Sequence, residues 1–124
     1  MNEQVIAVTS PDDVLQDADR ILLVDLTESQ MQLISQSLGK IEEFSTILLY
    51  MWKTGDSNDW MLDKKLKSDL IIFNADSDNQ TVIGYLAAQR NSYYFGTLKN
   101  IATANKNAIY DVEQLISLLE RNLR

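Results

Sequence analysis

Three short, uninterrupted apolar runs most constrain what this chain can fold into. They are Arg20-Ile-Leu-Leu-Val-Asp25-Leu26, Ser45-Thr-Ile-Leu-Leu-Tyr50-Met-Trp52 and Asp69-Leu-Ile-Ile-Phe73-Asn74. Each is far too short to cross a membrane, and none alternates apolar with polar residues as a half-solvated strand does. A short apolar run bounded by polar residues suits a strand covered on both faces, the usual situation in a parallel sheet flanked by helices. Such a sheet needs crossover connections, and the residues between the runs carry helical signals.

After the first run, Thr27-Glu-Ser-Gln30 has capping-box spacing and Met31, Ile34 and Leu38 follow at helical intervals, with Gly39 expected to stop the helix. After the second, a turn at 55–57 precedes a short helix over 59–67. Its apolar contacts are expected to be Trp60, Leu62 and Leu66, with Asp63, Lys64, Lys65 and Lys67 on a solvated face. After the third, Ser77 to Gln80 reads as a turn and cap, and Val82, Ile83, Leu86 and Ala87 form one helical face. Residues 4–9 read as a further strand, Ser10-Pro11-Asp12-Asp13 as the cap of a helical turn, 92–95 as a strand and 96–107 as a polar loop. A brief strand at Ala108-Ile-Tyr110 and a last helix from Asp111, with Val112, Leu115, Ile116 and Leu119 on one stripe, complete the chain. The expectation is one α/β domain over 1–124, a three-layer sandwich around a mainly parallel sheet of five or six strands.

Composition then removes whole classes of chemistry. With neither cysteine nor histidine there is no disulfide framework, no Cys or His metal site, no thiol nucleophile and no Ser-His-Asp triad. A formal charge of −7 makes nucleic acid an unexpected partner, because phosphate binding needs clustered Lys and Arg. No apolar run is membrane-length and no basic-then-apolar leader opens the sequence, so a cytoplasmic location without membrane contact is expected.

In a parallel sheet ligands bind at the carboxyl ends of the strands. The residues there include Asp25, Trp52, Lys53, Gly55, Asp56, Asn74, Asp76, Tyr94, Gly96 and Thr97. The four glycines, at 39, 55, 84 and 96, are too dispersed for a dinucleotide fingerprint, and no Gly-Lys-Ser/Thr loop occurs. Asp25, Asp56, Asn74 and Asp76 are candidate metal or ligand residues, for which Mg²⁺ is the ion that oxygen donors of this kind suit; no other cofactor is expected. The plainer reading of these acids is that they start helices, where the helix dipole favours negative charge. Trp52, Trp60 and Tyr94 are candidate binding aromatics, which could stack on a ligand or anchor a partner, and which otherwise belong to the core.

The segment Ile21-Leu-Leu-Val-Asp25-Leu26, followed by Asp69-Leu-Ile-Ile-Phe-Asn74, resembles the first and third strands of a response-regulator receiver domain, which implies a flavodoxin-like fold. In that family the first strand ends in an acidic pair that holds Mg²⁺ and the third in the phosphorylated Asp. Here Asp25 is followed by Leu26, and Asn74 stands at the acceptor position, where an amide cannot form an acyl phosphate. The resemblance therefore implies a pseudo-receiver, a docking module without phosphoryl chemistry. The segment from Ser68 to Asp76, with Thr81-Val-Ile-Gly84-Tyr85-Leu-Ala-Ala88, resembles the nucleoside deoxyribosyltransferase group. That likeness implies a small Mg-dependent or nucleotide-binding enzyme, yet Val82 stands where the nucleophilic Glu is required. The stretch from Trp52 to Asn100 also resembles an uncharacterised family of tailed phages.

Both characterised resemblances fail at the residue that performs the chemistry. The expected function is thus a non-catalytic module that binds another protein or itself, or serves as an assembly component. The terminal helix over 111–123 and the loop over 96–107 are the first candidates for its docking surface.

Overall fold

A computed structural model of the chain describes residues 4–8, 19–40, 46–89, 91–96, 108–109 and 111–122. In chain order the elements are β1 (Gln4–Val8), β2 (Asp19–Val24), α1 (Glu28–Gly39), β3 (Thr46–Trp52), α2 (Asn58–Lys67), β4 (Leu70–Asn74), α3 (Gln80–Ala87), β5 (Ser92–Phe95) and α4 (Val112–Asn122). The helical turn expected at Pro11 and most of the loop over 96–107 fall outside the described residues.

Among the described residues every strand pairing is parallel, and the sheet order is β1-β3-β2-β4-β5. Four of these strands, β3-β2-β4-β5, carry the described core, and β1 extends the sheet beyond β3. In β2, Ile21 and Leu23 face one way, toward Ile34 and Leu38 of α1 and Leu115, Leu118 and Leu119 of α4. Leu22 and Val24 face the other way, toward Met61 of α2 and Ile83, Leu86 and Ala87 of α3. The two-residue period thus sorts one apolar run into two cores, which is why the run shows no alternation in sequence.

The helix starts are set locally. At α1, Thr27 Oγ1 accepts from the Gln30 N–H at 3.2 Å and Gln30 Oε1 accepts from the Thr27 N–H at 2.9 Å, the expected capping box. Ser57 caps α2, Asn79 caps α3, and Asp111 Oδ1 accepts from the Gln114 N–H at the start of α4. The helix α1 runs through Gly39 and closes at Lys40 with φ −93°, so no left-handed residue ends it. The brief strand expected at 108–110 is reduced to a single bridge between Tyr94 and Ala108, with Tyr110 outside the described residues. No helix among the described residues is long and apolar enough to cross a membrane.

The face of α2 differs from the sequence expectation. Its buried residues are Met61 and Lys64, whereas Leu62 is 40% and Leu66 79% exposed. Lys64, expected in solvent, is 0% exposed. Its Nζ lies 5.1 Å from the Tyr50 ring centroid and 6.0 Å from that of Trp60, and 3.3 Å from Asp63 Oδ2. The aliphatic stem therefore fills a core site while the charge meets two aromatic faces and a carboxylate. Hydrogen bonds from Lys64 first, and from Lys67, hold the Asp63 carboxyl below its ordinary range. Lys64→Ala is expected to destabilise the fold by about 2 kcal/mol or more through the lost stem and the cavity left behind. Lys67→Ala, three residues along the same helix but exposed, is expected to stay within about 0.5 kcal/mol, both read by urea denaturation.

Candidate functional site

The chain leaves β2 toward β3 on one side and returns to β4 on the other, so the loops after β2 and β4 diverge. This reversal is the topological switch point at which an open parallel sheet leaves a crevice beyond its carboxyl ends. The crevice is present as an open cleft of about 600 Å³, lined by Asp25, Thr54, Asn74, Ser77, Asp78 and Asn79.

Asp25 ties its walls together. It sits directly after β2 with φ 54°, in the left-handed region that Asp tolerates better than most residues, and its N–H donates to the Trp52 carbonyl at 2.9 Å. Its Oδ1 accepts from the Thr54 N–H at 2.7 Å, and its Oδ2 accepts from the Thr54 hydroxyl at 2.6 Å and the Ser77 hydroxyl at 2.7 Å. One carboxylate thereby joins the loops after β2, β3 and β4. Asn79 reinforces the junction: its Nδ2 donates to Thr54 Oγ1 at 3.2 Å, its N–H to Ser77 Oγ at 3.1 Å, and its Oδ1 accepts from the Val82 N–H at 3.3 Å. Asn74, at the end of β4, accepts from the Asp76 N–H through Oδ1 at 3.0 Å.

Of the four candidate ligand residues, the cleft brings together Asp25 and Asn74. Asp56 is held elsewhere, its Oδ2 accepting from the Lys53 N–H at 2.9 Å within the turn around Gly55. Asp76 turns toward the end of β5: a Cβ at Gly96, where φ is +91°, would lie 2.5 Å from its Oδ2. Among the described residues no three acidic side chains gather closely enough to hold a metal ion. The candidate aromatics are packed inward. Trp52 is buried and donates from Nε1 to the Ser57 carbonyl, Tyr94 is buried and stacked on Phe73, and half-buried Trp60 meets Tyr50 edge-on at 6.0 Å. Sequence reasoning missed Thr54, Ser77, Asp78 and Asn79 as cleft residues. Their signal was position alone, since three of them follow β4 within a segment read only as a turn and cap.

A second feature lies between two helices. Met61, Leu62, Val82 and Tyr85, with Asn58 and Thr81, line a groove of about 240 Å³ between α2 and α3. Leu62, Leu66 and Tyr85, the exposed large apolar residues of the described part of the chain, all belong to these two helices. By contrast, the apolar stripe of α4 is spent against the sheet and α1.

No protein-family model matches the chain, and no curated protein matches it.

Asp25→Asn replaces an acceptor with an amide N–H that faces donors, and is expected to lower stability by about 2 kcal/mol in urea denaturation. Gly96→Ala is expected to cost about 1–3 kcal/mol by the same measurement, because it adds a left-handed alanine and a clash with Asp76.

Proposed function

We infer that this chain is a non-catalytic α/β interaction module that docks a protein surface, a second copy or another chain, through the exposed face of α2 and α3. The observation that carries the reading is the concentration of Leu62, Leu66 and Tyr85 on that face. Leu62 and Leu66 are one helical turn apart on α2, and Tyr85 stands across the groove on α3. Exposed apolar residues scattered singly are ordinary, whereas a grouped set beside an apolar groove is the usual composition of a docking surface. Lys65, whose Nζ lies 5.1 Å from the Tyr85 ring, puts positive charge at its rim, so an acidic border on the partner suits it.

The absence of bond-making chemistry is part of the same inference. The strand-end acid best placed for such work, Asp25, has its oxygens engaged by three donors of its own chain. The order β3-β2-β4-β5 with helices on both faces supports a flavodoxin-like reading of the scaffold. A pseudo-receiver, with Asn74 at the strand end, is the form of module this reading favours.

A photo-crosslinking side chain placed at position 66 or 85 tests the face directly. Adducts of defined mass are expected there and not at exposed Gln32 of α1, on the other side of the sheet. Equal labelling at all three positions overturns the reading. Leu66→Lys is expected to abolish the adduct formed through position 85 while leaving the unfolding free energy from urea denaturation unchanged within about 0.5 kcal/mol.

A further inference from the structure

We propose that the cleft at the switch point binds a neutral, polyhydroxylated small molecule, held between the Asn74 amide and the Asp78 carboxylate. The inference is independent of the α2/α3 face, since the cleft lies beyond the strand ends and shares no lining residue with the groove.

Asn74 carries the argument. It is only 8% exposed and lines the cleft. The Asp76 N–H bonded to Oδ1 fixes which way the amide points, and Nδ2 donates to no atom of the described residues. The Nδ2 hydrogens therefore face the cleft as a fixed donor that water satisfies in the free protein and that an acceptor on a bound molecule takes over. The rest of the wall is committed to itself. The Thr54 and Ser77 hydroxyl protons point at Asp25, and both ends of the Asn79 amide are engaged. These contacts hold the wall rigid and leave a short inventory for an incoming molecule: the Asn74 N–H, the Asp78 carboxylate, and unused oxygen lone pairs.

That inventory selects among ligand chemistries. Among the described lining residues are two carboxylates, those of Asp25 and Asp78, and no Lys or Arg, so this wall repels a phosphate or carboxylate group. An ammonium group satisfies Asp78 but offers Asn74 no acceptor. A hydroxyl both donates and accepts, so neighbouring hydroxyls on one molecule meet the acid and the amide together.

The test is amide chemical-shift mapping on the full chain, titrated with D-ribose, D-ribose 5-phosphate and spermidine. Ribose is expected to shift the Thr54, Asn74, Ser77 and Asp78 signals, with the phosphate and the polyamine binding at least about tenfold more weakly. Asn74→Asp keeps the oxygen that accepts from Asp76 and removes the free donor, and is expected to weaken ribose binding at least about tenfold. Asp78→Asn, at an exposed position that does not threaten folding, is expected to weaken it similarly. Absence of ribose shifts at the cleft, equal binding of the charged probes, or unchanged ribose binding in both variants overturns the proposal.

Discussion

The whole structure follows from strands whose two faces must both be kept from water. Ile21, Leu22, Leu23 and Val24 of β2, and Leu70, Ile71, Ile72 and Phe73 of β4, are all buried. No single layer of helices satisfies that requirement, so α1 and α4 cover one face and α2 and α3 the other. With right-handed crossovers, helices on opposite faces mean that the chain moves first to one side of β2 and then to the other. The cleft is thus a geometric by-product of burying the sheet twice.

Much of this was written in the sequence, because the signals were local. The Thr27-to-Gln30 cap, the apolar runs and the Ile83, Leu86 and Ala87 spacing each act within a few residues, and they place three strands and two helices. The face of α2 was not legible. Its cap at Ser57 sets a helical phase that brings Met61 and Lys64 inward, and a lysine at a core position reads as solvent-facing until Tyr50 and Trp60 are seen to receive it. The aromatic partner Tyr50 comes from a strand outside the helix, so no window along α2 contains the information.

The site was partly legible for the same reason. That functional groups follow strand ends led to Asp25 and Asn74, and the same idea nominated Asp56 and Asp76. The turn around Gly55 folds Asp56 back onto Lys53, and Asp76 leans toward Gly96. Neither loop path is encoded in spacing. Ser77 and Asn79 reach the cleft because helix-capping residues at the start of α3 stand beside the junction that Asp25 makes, a coincidence of tertiary position.

The shared carboxylate of Asp25 has a mechanical consequence. The segments after β3 and β4 are far apart along the chain but are pinned to one side chain, which itself holds an uncommon backbone angle. Neither rim can swing outward alone without stripping Asp25 of a donor that the other rim does not replace. The mouth of the crevice is therefore coupled, so that whatever widens it on one side must loosen both.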